Sequence, residues 1–134
     1  MEELYKKTLD RLKAELKKQL PEIEANGDWL WHHPEAGFKE TDTQKYCLEV
    51  LKNHGFEACT WPDVTGFTCT YDTGRPGPCV MIMGEMDSLI CYSHPDCNPE
   101  TGAAHACGHS IQVATAMGAF ITLTESGVLE NFGG

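Results

Sequence analysis

The sequence predicts an α/β fold, and three observations predict it. Residues 2–20 and 41–54 place apolar side chains at helical spacing. Short apolar and aromatic runs near residues 56–61, 66–71 and 79–83 are bounded by turn residues, as strands are. A last helical stretch, from Ile111 to about Glu125, carries Ala114, Ala116, Gly118 and Ala119, small enough to let a helix lie close against a sheet. A chain of 134 residues fits one domain with a real core, since a domain of that size removes roughly two thirds of its unfolded surface from water.

Taken in order, Tyr5, Leu9, Leu12, Leu16 and Leu20 recur every three or four residues, giving an amphipathic helix with Lys and Glu outward. Pro21, followed by Glu22 and Glu24, fits the first position of a second helix running to about His32. Trp29 and Trp31 in that segment are expected to face the core. Pro34 ends it, because the residue before a proline is pushed out of the α region. His32 and His33 read as capping groups, since consecutive side chains diverge. Thr41 or Asp42 caps the next helix, Tyr46, Cys47, Val50 and Leu51 form its buried stripe, and Gly55 stops it. Two strands follow, turning at Pro62-Asp63, and the turn residues 73–77 lead to a buried strand over Val80–Met83 that ends at Gly84. Cys59, Cys69 and Cys79 fall in these strand-like runs and read as structural.

Composition removes several function classes. The formal charge of −10 argues against nucleic acid, whose affinity rests on Lys and Arg neutralising phosphates. Every Lys and Arg except Arg75 lies at or before Lys52, mixed with Glu on helical faces that read as solvated. No apolar run approaches about 18 residues and the N-terminus is a charged helix, so the expected setting is the cytoplasm, without a membrane partner, and the seven cysteines are expected as reduced thiols. Neither a phosphate-binding glycine loop nor a serine nucleophile elbow is present.

The chemistry gathers between Met83 and His109, MGEMDSLICYSHPDCNPETGAAHACGH, where three cysteines and three histidines sit beside an acidic pair. His105, Cys107 and His109 alternate with small residues, so a thiolate and an imidazole can converge on one cation, and such donors suit Zn²⁺ and related metals. Glu85 and Asp87 follow a strand-like run, the place where open α/β sheets hold their sites.

These strings resemble the M20 family of metallopeptidases and amidohydrolases, in particular the branch with aminoacylase-like and aminobenzoyl-glutamate-utilisation proteins. Glu85-Met86-Asp87-Ser88-Leu89 stands where that branch has D-M-D-A-L. His105-Ala106-Cys107-Gly108-His109-Ser110-Ile111-Gln112 stands where it has H-A-C-G-H-D-x-H, and His33 to Thr43 looks like its P-E-x-x-x-x-E-x-x-T segment. Ser110, Gln112 and Glu85 depart from the pattern. The likeness covers about residues 22–134, with 1–21 as an added helix, and implies a single partial domain over 1–134. That domain would be the N-terminal portion of a zinc-peptidase-like catalytic domain, helices packed on a mixed sheet.

The resemblance further implies a metal-dependent amidohydrolase cleaving the amide bond of a small N-acyl amino acid or dipeptide-like substrate, with one or two Zn or Mn ions in the complete enzyme. Cys107 and His109 would be metal ligands, and Asp87 the catalytic-site acid that orients a ligand. In the family the acid pair that supplies the base and a further ligand follows the last helix, and later histidines complete the coordination. The expectation is therefore an N-terminal fragment, inactive alone and self-associating as a homo-oligomer through the Val80–Met83 edge. Two other readings stand beside it: a structural zinc module using Cys91, Cys97, Cys107 and His109, and a metal-free acidic interaction domain.

Overall fold

The computed structural model describes residues 2–134. Its elements are α1 (Glu2–His32), α2 (Thr41–Asn53), β1 (Ala58–Trp61), β2 (Val64–Cys69), β3 (Leu89–Ile90), β4 (Ala103–Ala104), α3 (His109–Glu125) and a short 3-10 turn over Val128–Asn131.

The packing of α1 against α3 is the most extensive contact in the molecule. Two glycines permit it. A Cβ on Gly118 would lie 2.5 Å from Ile23 Cγ1, and one on Gly27 would lie 3.4 Å from Ile111 Cδ1. Around this contact Leu30, Cys47, Val50, Val113, Ala114, Met117 and Ile121 form the buried core, with Trp29, Tyr46, Phe56, Phe67, Met86 and Phe120 packed on it. Trp29 stacks on Tyr46 at 3.8 Å between ring centroids, which places it at the core as expected. Trp31 is only half-buried and lies edge-on to His94.

Three expectations are corrected. First, α1 runs unbroken through Pro21 to His32. A proline inside a helix removes one backbone bond and crowds the preceding turn, and here the long contact with α3 holds the helix together on both sides of it. Second, the expected apolar stripe of α1 faces inward only in part: Leu9 and Leu12 are half-buried but Tyr5, Leu16 and Leu20 are exposed, while Glu15, Gln19, Asn26, Gly27 and Leu30 are buried. The helix is rotated so that Gln19 Nε2 donates to Glu125 Oε2 of α3 at 2.8 Å and to Glu15 Oε1 at 3.1 Å.

Third, Val80–Met83 is not a strand, and among the described residues there is no mixed sheet. The strands form two antiparallel pairs, β1 with β2 and β3 with β4, plus one isolated parallel bridge between Ala36 and Ser88. A strand exists through its ladder partner, and nothing lies alongside Val80–Met83 to supply one; Val80 is 81% and Met83 75% exposed. Cys59 and Cys79 are exposed as well, and so are not core residues. Cys47, by contrast, is fully buried, and burial pushes its thiol pKa up to about 12.

The β1–β2 hairpin turns at Pro62-Asp63 as expected, with Ala58 opposite Cys69 and an irregularity at Thr60/Trp61. His32 and His33 satisfy the end of α1, their Nδ1 atoms 2.8 and 2.7 Å from the carbonyls of Asp28 and Trp29. Gly55, at φ 80°, follows α2 as its stop.

Candidate metal centre

The centre is built where the chain from Gly84 to Leu89 passes the first turn of α3. That helix starts at His109, two residues earlier than its periodicity suggests, because Gly108 takes φ 89° and turns the chain into it. His109 therefore stands at the helix start with its ring directed back at the acidic segment. Its Nδ1 lies 2.9 Å from Asp87 Oδ1 and 3.0 Å from the Asp87 carbonyl. Its Nε2 lies 3.1 Å from Glu85 Oε2. Gln112, one turn along, accepts the Glu85 N–H at 2.8 Å through its side-chain carbonyl and so fixes the strand-like segment against α3.

These contacts bear on proton placement. Both groups facing Nδ1 are acceptors, so Nδ1 carries the proton and Nε2 presents its lone pair. That lone pair then points at a carboxylate oxygen, an arrangement resolved by a proton on Nε2 or by a cation between the two. A histidine whose distal N–H is held by a carboxylate is the usual form of a metal-binding imidazole. The donor types fit a divalent ion such as Zn²⁺ at Nε2, with Cys107 two residues upstream on an exposed turn closed by the Gly108 N–H to the His105 carbonyl.

The structure thus brings His109, Asp87 and Glu85 together. It leaves Cys107 exposed, and among the described residues no group of three or more His, Cys, Asp or Glu side chains is arranged to hold a metal ion. The four-ligand set of Cys91, Cys97, Cys107 and His109 is accordingly not assembled. The Cys91 thiol instead sits 3.5 Å from the Ser93 hydroxyl, and that of Cys97 is 3.6 Å from the Tyr92 carbonyl.

His105 is 3% exposed, and neither of its ring nitrogens has a hydrogen-bond partner. Burial foremost, then the neighbouring His109, hold its pKa below the ordinary histidine value against the opposing pull of Asp87, so the ring is neutral. Ser110, which stands where the family string has Asp, is 1% exposed with its hydroxyl unpaired.

Two contributors were not singled out from the sequence. Glu35 and Ser88 both lie within the quoted family strings, but nothing in their spacing indicates that the backbone of one holds the other. The Ser88 N–H and hydroxyl both donate to the Glu35 carbonyl, at 2.8 and 2.7 Å.

The chain is similar in sequence to known proteins over most of its length. The chain is 32% identical over 104 residues to an N-acetyldiaminopimelate deacetylase of Brevibacillus brevis, a match covering 73% of this chain and 27% of that protein. It is 30% identical over 115 residues to an N-acyl-L-amino acid amidohydrolase of Geobacillus stearothermophilus, covering 79% and 30% respectively. Over 73 residues it is 37% identical to a p-aminobenzoyl-glutamate hydrolase of Escherichia coli, covering 46% and 16%. The chain therefore spans less than a third of the length of these relatives. The relatives are amidohydrolases, which meets the resemblance drawn from the sequence strings without singling out one branch. No family model and no solved structure matches the chain. Among the described residues no helix is long and apolar enough to cross a membrane.

Proposed function

We propose that this chain supplies the N-terminal part of the site of a metal-dependent amidohydrolase acting on small N-acyl amino acids or dipeptide-like amides. The observation that carries the reading is the Asp87–His109–Glu85 arrangement, in which Asp87 accepts the Nδ1–H hydrogen bond and leaves Nε2 facing a carboxylate. The amidohydrolase relatives supply its reaction class. Cys107 and His109 hold the ion, Zn or Mn. Asp87 fixes the tautomer and angle of His109 and strengthens its Nε2 as a donor. When bound, such an ion polarises an amide carbonyl and lowers the pKa of a water molecule.

With two protein donors, the 134-residue chain binds the ion weakly and does not turn over substrate alone. The ligands and base that finish the reaction come from elsewhere in the complete enzyme, which is cytoplasmic in this reading. The test is Zn²⁺ binding by the wild-type chain and by its Cys107→Ala and His109→Ala variants, read by competition with a chromophoric chelator. A drop in affinity in both variants is expected. Equal binding by all three proteins would rule out these ligands.

A further inference from the structure

We propose that Glu35 is a positioning residue for the His109 site, tying the start of α2 to the Asp87–His109 pair; this rests on the metal-holding reading of His109. Glu35 works with both halves of itself. Its carboxylate collects the opening of α2: Oε2 accepts the Thr43 N–H at 2.7 Å, and Oε1 accepts the Asp42 N–H at 3.2 Å and the Thr41 hydroxyl at 3.3 Å. The first N–H groups of a helix lack partners within it, and the helix dipole favours a negative charge there. The residue at the cap position, Glu40, makes no side-chain cap bond to α2; its carboxylate is taken by the Thr65 hydroxyl. Glu35 does that work from outside the helix.

The main chain of Glu35 meanwhile holds Ser88. Its carbonyl accepts both the N–H and the hydroxyl of Ser88, and the next residue, Ala36, forms the parallel bridge to Ser88. Two residues on, Gly37 lies against the acid itself, a Cβ there falling 3.7 Å from Asp87 Cβ. Residues 35–37 therefore run along Asp87 and Ser88, and Ser88 is 6% exposed, so the contact is a fixed one. The chain of contacts is continuous: α2 holds the Glu35 carboxylate, the Glu35 carbonyl holds Ser88, and Asp87, covalently next, holds His109 Nδ1. Removing the carboxylate unties the turn from α2 and lets the carbonyl, and with it Asp87, shift relative to the imidazole.

The experiment uses the whole chain labelled with ¹⁵N-histidine at about pH 8, above the ordinary histidine range. Long-range ¹H–¹⁵N correlations read the His109 tautomer, and Zn²⁺ is then titrated in. Wild type is expected in the Nδ1–H form, with Nε2 shifting on addition of Zn²⁺. Glu35→Ala is expected to mix the tautomers and weaken Zn²⁺ binding about 10-fold, the lower range for groups that orient a ligand. Glu35→Gln, which keeps the accepting oxygen, restores most of both. Val50→Ala is the control, loosening the core of α2 without touching the tautomer.

If wild type shows the Nε2–H form, or no Zn²⁺ shift, the metal-holding reading falls. If wild type behaves as expected while Glu35→Ala matches Val50→Ala, the positioning role is overturned and the reading of His109 stands. Should Glu35→Ala not fold, Ser88→Ala removes only the hydroxyl bond. An unchanged tautomer and Zn²⁺ affinity in that variant also overturns the inference.

Discussion

His109 Nδ1 meets Asp87 twice, at 2.9 Å from its carboxylate and at 3.0 Å from its own backbone carbonyl, so one residue dictates both the tautomer and the tilt of the imidazole. The carboxylate supplies charge and the carbonyl supplies direction. These are separable, because only the first depends on the side chain.

Asp87→Ala should therefore keep the fold and lose the site. Asp87 is only half-buried, and Ser88, not Asp87, makes the bonds to Glu35. We expect Zn²⁺ affinity to fall about 10- to 100-fold, with the melting temperature little changed. Calorimetric titration with Zn²⁺ and a thermal melt on the same samples check both halves. Wild-type affinity in the variant contradicts the role assigned to Asp87.

The thiols should sort by burial. Cys47 is fully buried and its thiol is pushed up to about 12, whereas Cys59, Cys79 and Cys107 are exposed. The thiolate is the reactive form, so alkylation with iodoacetamide at about pH 8 should mark those three and spare Cys47 until denaturant is added. Peptide mass mapping reads this directly. Added Zn²⁺ should slow the labelling of Cys107 relative to Cys59.

A three-helix junction should make stability depend on pH. His54, just after α2, places Nδ1 2.5 Å from Glu125 of α3 and Nε2 3.0 Å from Glu22 of α1. Burial is the largest single influence on its pKa and lowers it. The hydrogen bonds to Glu125 and Glu22, with the charges of both carboxylates, together outweigh burial and leave the pKa above the ordinary 6.5. A raised folded pKa gives stability that is fully present below the unfolded value and fades as pH rises through the folded one. The difference between wild type and His54→Ala should thus be on the order of 1 kcal/mol at about pH 6, allowing for the partial exposure of both carboxylates, and smaller at about pH 9. Urea melts at the two pH values test the sign. A difference that grows with pH contradicts it.

Much of this architecture was legible from residue spacing. The α2 stripe of Cys47, Val50 and Leu51 is buried as its spacing indicates, and the Pro62-Asp63 turn joins two strands as its residues require. What was not legible depended on partners distant in sequence. The periodicity of Leu9, Leu12, Leu16 and Leu20 describes a helix face, but which face packs is decided by where a second helix can approach, and Gly27 and Gly118 set that place. Val80–Met83 has strand composition, yet composition supplies no ladder. At the site, the string from His105 to His109 pointed to the imidazole. The tautomer came from Asp87, and the anchoring of Asp87 came from Glu35, more than fifty residues away in sequence.

The α1–α3 contact gives a steric test. Adding a Cβ to Gly118 brings it within 2.5 Å of Ile23 Cγ1 and closer still to Cδ1, so the side chain of Ile23 must move as a whole. Overpacking of this kind costs about 1 to 3 kcal/mol, against roughly 1 kcal/mol gained in helix propensity by Gly→Ala. Gly118→Val, which gains less propensity and adds more bulk, should be clearly destabilising in urea melts. Pairing it with Ile23→Ala should recover part of the loss, so that the two changes are non-additive. Strict additivity would mean that the two residues do not meet.

The segment Val80–Met83 gives the last test. Its four apolar side chains are 81%, 77%, 46% and 75% exposed, and no strand pairs with its backbone, so it offers both backbone groups free of a strand partner and apolar surface. Either feature favours association with a second chain. The 134-residue chain should self-associate with rising concentration, read by light scattering or sedimentation. The exposed face of α1, with Tyr5, Leu16 and Leu20, competes as an alternative contact. The two separate by mutation: Met81→Lys with Met83→Lys should shift the chain toward monomer, while Leu16→Lys with Leu20→Lys should leave association unchanged. The reverse pattern would place the contact on α1. A chain that stays monomeric at all concentrations would show that neither surface is sticky enough to matter.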